Sequence, residues 1–345
     1  MSGKTYHPLH VLQYNTGRSR DQVMATFLRE PRTLEADIIA IQEPWENEYE
    51  DVTHHPANRS HLLVYPRQAD MGARARVCMY VSRRINPTSW QHKAVSRDYH
   101  YIRIQYRRHS QRHLRTITIH NMYNVRGSDT LQLMRQTIRE AQSRYDDHII
   151  LGDMNLHHPT WGGAHVKADD EADELIELTD ELGLELLTEQ GLVTWQRGVS
   201  QSTIDLTYAS CSLTGRLLET SRDIPIQSQS QTARNTRTET TRADDIENSS
   251  DHYPIRTYID IDTPQYVPRK RRNYQKTDVA KLQDFVRNNL GPIRELNNAI
   301  SIEYATDYLV DVVKRGIEAS MPWVIPSPFA NPDFTPECQE IVKEC

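Results

Sequence analysis

Apolar residues along this chain gather in short runs between His10 and about Ile261, each bounded by polar or turn-forming residues. Runs of that length, rich in Val, Ile and Tyr, predict strands. The segments are His10–Tyr14, Asp37–Ile41, Leu62–Tyr65, Val77–Val81, Tyr101–Tyr106, Thr116–Met122, His148–Leu151, Ile204–Tyr208 and Ile255–Ile259. Between them the period changes. Leu131, Met134, Ile138, Ala141 and Tyr145 recur at helical spacing behind Ser128, an N-cap candidate, and Leu175, Leu178 and Leu182 line one face of a helix over about 171–182. Strands interleaved with helices read as α/β or α+β.

Two stretches break the pattern. Residues 221–249 are rich in Ser, Thr, Gln, Arg and Asn with little to bury, which predicts a disordered insertion between strands. After Asp262 comes a basic connector with Pro264, Pro268, Arg269, Lys270, Arg271, Arg272 and Lys276. It is followed by two helical patterns, one carrying Val279, Leu282, Phe285, Val286 and Leu290, the other over about 302–319. The organisation is therefore a domain over 1–262 and a connector with a small helical appendage over 263–345.

Composition narrows the class. A chain of 345 residues has room for a sizeable core, and 37% hydrophobic residues leaves much of it exposed. Cys78, Cys211, Cys338 and Cys345 show no paired spacing, so neither a disulfide framework nor a zinc module is indicated, and a reducing compartment is expected. No apolar run reaches membrane-spanning length and MSGKTYHPLH has no signal-peptide core, so a soluble intracellular protein is expected, with no membrane partner. The net charge of −6 argues against a wholly basic nucleic-acid binder. Locally the balance reverses: Arg97 to Arg115 includes Arg103, Arg107, Arg108 and Arg112 among Tyr99, Tyr101 and Tyr106, either a phosphate-tracking DNA contact or a solvated hairpin face.

Four strand-like runs end in residues that a core would not choose. VLQYNTG delivers Asn15, IIAIQEPW delivers Glu43, IILGDMN delivers Asp153 and Asn155, and SSDHYPI delivers Asp251 and His252. Buried unpaired carboxylates are costly, and a divalent cation is the natural compensation. Oxygen donors without matching cysteines favour Mg²⁺, or Mn²⁺, over zinc. Each run alone has an ordinary explanation as a turn, a cap or a strand reaching solvent. Their joint occurrence in this order does not.

Together, Asn15, IQE with Glu43, Tyr123, GDMN with Asp153 and Asn155, TID with Asp205, and SDH with Asp251 and His252 resemble the motif series of the endonuclease/exonuclease/phosphatase (DNase I-like) family, over about His10 to Ile261. The resemblance implies an α/β fold, a four-layer α/β sandwich of two packed mixed β-sheets flanked by helices. It implies Glu43 as principal metal ligand with Asn15 and Asp251. Asp153, with Asn155 beside it, would activate water, His252 paired with Asp205 would meet the scissile phosphate, and Tyr123 would assist at a phosphate oxygen or the leaving group.

Within that family GDMNLHHPTWGG, VTWQ and STIDLTYAS resemble LINE-type non-LTR retrotransposon endonucleases, with Thr194 in a supporting role. The appendage resembles the stretch that joins such an endonuclease to a reverse transcriptase, and the expectation is an endonuclease part without the polymerase. The implied activity is Mg²⁺-dependent nicking of DNA, with a retrotransposon RNA–protein complex as a further partner and the nucleus as location. The alternatives are an abasic-site repair nuclease, another phosphodiesterase or phosphatase of the same fold, or an inactive remnant that only binds.

Overall fold

The computed structural model describes residues 8–324 apart from 19–20, 48–52, 54, 108–113, 141–145, 215–238, 245, 247–249, 267–269 and 293–295. It divides into two compact units, Met1–Tyr266 and Val267–Cys345.

The first unit holds β1 (Pro8–Asn15), β2 (Ile38–Gln42), β3 (His61–Val64), β4 (Val77–Ser82), β5 (Trp90–Ser96), β6 (Tyr99–Arg107), β7 (Leu114–Tyr123) and β8 (Asp146–Asp153), then β9 (Leu184–Leu186), β10 (Trp195–Arg197), β11 (Ser200–Ser202), β12 (Asp205–Ser210), β13 (Glu239–Arg242) and β14 (Ile255–Asp262). Hydrogen bonding runs β3-β4-β2-β1-β14 and then β6-β7-β8-β12-β9, with β13 on β14, β5 on β6, and β10 paired with β11 separately. The two halves are joined by the single pairing of Asp262 with Arg107. β1 with β2 and β7 with β8 are parallel and the other pairs antiparallel, so both sheets are mixed.

Strand alternation explains the layering. Leu9 and Val11 of β1, Ile38 and Ala40 of β2, Ile117 and Ile119 of β7, and Ile149 and Leu151 of β8 share one core between the sheets. The opposite parity of β1 and β2, with Leu12, Tyr14, Ile39 and Ile41, packs under Met24 and Phe27 of the helix Asp21–Phe27. Met122 and Ile150 pack under Leu131 and Met134 of the helix Thr130–Glu140 and Leu175 and Leu178 of the helix Asp170–Glu181. Three cores separate four layers, the α/β sandwich that the motif series implies.

Each strand read from the sequence is present, longer by a residue or more at one or both ends in most cases. Three details differ. The helix starts at Thr130, so Asp129 and not Ser128 stands at its cap position, its carbonyl accepting Leu133 N at 2.9 Å. Ala141 and Tyr145 lie outside the described residues. Of the segment 221–249 expected to be disordered, residues through 238 also lie outside them, but Glu239–Arg242 is β13, registered against β14, and Ala243 and Ile246 are buried. A strand on the sheet edge needs only backbone pairing, which composition does not disclose.

In the second unit the helices Val279–Asn289 and Ala299–Ser320 pack together, with β15 (Arg271–Arg272) on β16 (Trp323–Val324). Among the described residues no helix is long and apolar enough to cross a membrane.

Candidate active site at the rim of the two sheets

The parity that fills the inner core continues beyond it in polar residues. On β1, Leu9 and Val11 are followed on the same face by Gln13 and Asn15; on β7, Ile117 and Ile119 by Asn121 and Tyr123; on β8, Ile149 and Leu151 by Asp153. These pairs meet across the sandwich: Gln42 Nε2 donates to Asn121 Oδ1 at 2.6 Å, and Asn15 Nδ2 to Asp153 Oδ2 at 2.8 Å. In register Asp153 stands beside both Tyr123 and Asp205. One end of the sandwich is therefore floored by apolar side chains and topped by the residues singled out by their sequence runs.

At its centre His252 Nδ1 lies 2.8 Å from Asp205 Oδ2, and His252 Nε2 lies 3.9 Å from Asp153 Oδ2. All three residues are buried. The Asn155 backbone N–H donates to Asp153 Oδ1 at 2.9 Å. Burial first, then the neighbouring Asp205, holds the Asp153 carboxyl well above the usual carboxylate range, against the opposing pull of His252, Asn155 and Asn15. For His252 burial is the largest influence and pulls down, but Asp205, Asp153 and Asp251 together raise it above the usual imidazole range. The imidazole is thus held as a cation between carboxylates. Two carboxylates share that single cation, and Asp205 Oδ1 is buried without a hydrogen-bond partner.

Thr194 positions this pair. Its buried Oγ1 accepts from the backbone N–H groups of both Ile204 and Asp205 at 3.0 Å. Thr194→Val keeps the shape and strands two donors, so stability should fall by about 2 kcal/mol in urea denaturation, while Thr194→Ser should retain most of it.

Around the centre the remaining candidates converge through a turn. Thr16 Oγ1 and Arg18 N donate to the Glu43 carbonyl at 2.6 and 2.9 Å, and Gly17 N donates to Asn15 Oδ1 at 2.8 Å. A Cβ on Gly17 would stand 3.6 Å from Asp251 Oδ1, so the same turn lies against Asp251. Buried Tyr14 accepts from Ser250 N at 3.1 Å, and Arg197 Nη2 donates to Asp251 Oδ2 at 2.7 Å. The Glu43 carboxylate has Arg18 Nε at 3.4 Å. The Tyr123 phenol faces Glu43 and Asn155; burial, then Glu43 and Asp153, push it up to about 12, so it stays a proton donor.

Sequence reasoning missed several residues here. Arg76 is bonded to both oxygens of Asp98, its guanidinium lies 5.1 Å from the Tyr123 ring centroid, and its backbone carbonyl holds Glu43 N at 2.8 Å. Arg18, Glu43 and Asn155 have φ of 49°, 47° and 52°, the positive-φ residues other than glycine among the described residues. Such strain is retained where surrounding bonds over-determine the backbone, and here all of it sits at one site. Arg126 is part of that restraint, its Nε donating to the Asn155 carbonyl at 3.0 Å.

Of the basic stretch, Arg103 and Arg107 are not brought to this site. Arg103 pairs in register with Thr118 and its guanidinium meets Asp146 at 3.4 Å. Arg107 pairs with Leu114, eight residues along β6 from the Tyr99–Met122 pair at the site end, roughly 27 Å away at strand rise. Arg108 and Arg112 lie outside the described residues. His157 and His158 bond locally, to Asp169 Oδ2 at 3.1 Å and to Thr160 N at 3.1 Å, and Trp161 is fully buried as a packing anchor.

The ligand atoms of Asp153, Asp205 and His252 lie within 4.8 Å of one another, close enough to hold an ion. His252 Nδ1 bonds Asp205 Oδ2 and the ring is held protonated, so Nε2 has no free lone pair and the donors left for a metal are oxygens, to which the adjacent Asn15, Glu43 and Asp251 add more. Oxygen donors with excess negative charge fit a hard divalent cation.

Residues 117–256 match the family model described as endonuclease-reverse transcriptase. The endonuclease domain of TRAS1, a telomere-specific non-LTR retrotransposon, superposes with a TM-score of 0.50 at 20% identity, covering 73% of this chain and 98% of that one. The fold is that of the endonuclease/exonuclease/phosphatase, or DNase I-like, family. The Xenopus laevis APE2 catalytic domain superposes with a TM-score of 0.50 at 13% identity over 74% of this chain and 93% of that one. No curated protein matches the chain in sequence.

Proposed function

We propose that this chain is a divalent-metal-dependent phosphodiesterase that nicks DNA, leaving a 3′-hydroxyl and a 5′-phosphate. The observation that carries the reading is the buried Asp153 carboxylate set between Asn15 and the His252–Asp205 pair. Asp153 accepts the proton of the attacking water, a task favoured by a carboxyl whose acidity is weakened toward neutral pH. Asn155 fixes its orientation through the backbone N–H. His252, kept protonated by Asp205, meets the developing charge on the phosphate, and Tyr123 donates to a phosphate oxygen or the leaving group. Glu43, Asn15 and Asp251 would hold the metal. Bound there, Mg²⁺ or Mn²⁺ supplies charge stabilisation at the phosphoryl and leaving oxygens.

The match to an endonuclease-reverse transcriptase family and the GDMNLHHPTWGG run support DNA as substrate and LINE-type retrotransposition as the setting, with a nuclear RNA–protein complex as its context. Arg18 and Arg197, arginines bordering the site and about half or more exposed, are better placed to meet flanking phosphates than Arg103 or Arg107.

The test is nicking of supercoiled plasmid beside an abasic oligonucleotide and a phosphoinositide. Plasmid should be the preferred substrate. EDTA should abolish nicking and Mg²⁺ restore it. Mg²⁺ should also raise the melting temperature, by an amount that follows its concentration relative to its dissociation constant, and Glu43→Gln should remove that rise. Preference for the phosphoinositide, or nicking unaffected by EDTA, would remove the proposal.

A further inference from the structure

The basic connector holds none of the residues assigned to the candidate site, and its described part in the second unit forms a surface. Arg272 pairs in register with Trp323, and its guanidinium lies 4.1 Å from the indole centroid. Arg272 also donates to the Met321 carbonyl at 2.7 Å, and its side chain is 15% exposed where Trp323 is 58% exposed. The guanidinium is therefore the inner layer of the stack and the indole the outer one.

Beside them runs a groove of about 680 Å³, lined among others by Arg272, Lys276, Lys281 and Trp323. Lys270, Arg271, Lys276 and Lys281 are exposed, and Tyr274 is 74% exposed. Two acids, Asp278 and Glu318, line the same groove. Asp278 Oδ1 caps the helix Val279–Asn289, accepting Lys281 N at 2.9 Å, and Glu318 stands 4.0 Å from Arg272. Among the described residues these four cations have no carboxylate partner.

A large aromatic face left in water among unpaired cations fits a ligand with a flat π face beside each negative charge. A single nucleic-acid strand has that repeat. A duplex hides its base faces, and an acidic peptide supplies charge without them. We propose that this surface binds single-stranded DNA, with a base stacked on Trp323 and adjacent phosphates on Lys276 and Lys281. The surface stands independently of the nuclease reading; only the choice of DNA over RNA rests on it.

The test uses the full chain in EDTA and a fluorescent oligothymidylate, with affinity read by anisotropy across a salt series. Lys276→Glu with Lys281→Glu should weaken binding at least about 10-fold and flatten the log–log salt dependence by roughly 1.4, since each single-strand phosphate contact contributes about 0.7. Trp323→Ala should weaken it about 5- to 100-fold and Trp323→Phe far less, because a ring face is retained. Unchanged affinity in the lysine pair overturns the proposal, as does tighter binding of oligouridylate than oligothymidylate. Should Trp323→Ala lose helical circular dichroism, the solvent-exposed lysine pair decides. Plasmid nicking with Mg²⁺ should persist in the lysine variant. Strand binding that depends on these residues in a protein that does not nick supports this surface and removes the nuclease reading alone.

Discussion

Asp153→Asn should lower plasmid nicking by about 100- to 10,000-fold, the usual worth of a positioned proton acceptor, while duplex affinity changes little. The substitution removes charge and basicity but keeps the planar shape. It also relieves the repulsion between Asp153 and Asp205 that, with burial, holds the native carboxyl above its ordinary range. The variant should therefore stay folded by circular dichroism, which separates lost chemistry from lost structure. His252→Ala should cost a comparable factor, because the imidazole is the single cation that the two carboxylates share. The combined variant should be little worse than the poorer single one, since groups that act as a unit are not additive. Full nicking by Asp153→Asn would remove the assigned mechanism.

The second large effect is structural. Gly152 has φ of +146°, and a Cβ there would stand 1.9 Å from the Met122 carbonyl oxygen. That oxygen belongs to β7, which runs parallel to β8 with Met122 and Gly152 in register, so relief requires moving a central strand. Gly152→Ala should destabilise the first unit by more than about 4 kcal/mol, seen as a fall of roughly 10 °C or more in melting temperature. Nicking should fall with it, because Asp153 is the next residue. Gly72→Ala is the control: its φ is +70° but nothing lies within 4 Å, so only the left-handed backbone cost of about 1–2 kcal/mol applies. Equal losses in the two variants would show that the close approach to β7 is not what demands glycine.

Much of this was legible in the chain because strand parity is a local property. The run Val11, Gln13 and Asn15 already states that Asn15 shares a face with core residues, and the same holds for Leu151 and Asp153. Elements held mainly by pairing were less legible. β5, with Trp90, His92 and Ala94 alternating with exposed residues, and β13, written ETTR, carry too few apolar side chains to register as strands. The register carries Arg103 and Arg107 of the basic run away from the site end of β6, and a string of charges does not say toward which end of a strand the chemistry lies.

By itself the sequence determined the strands and helices, through apolar periodicity, and the kinds of atom at the strand ends, through the polar residues that interrupt it, while the four-layer sandwich was implied by the motif series. Only the tertiary structure decided which of those atoms meet. Asn15 reaches Asp153 across the two sheets, Arg76 spans from the Glu43 backbone to the Tyr123 ring, and the strained turns at Arg18, Glu43 and Asn155 close around them. The physical reason is range: side-chain direction follows from neighbouring residues, whereas a hydrogen bond between residues more than a hundred positions apart exists only once both sheets have packed.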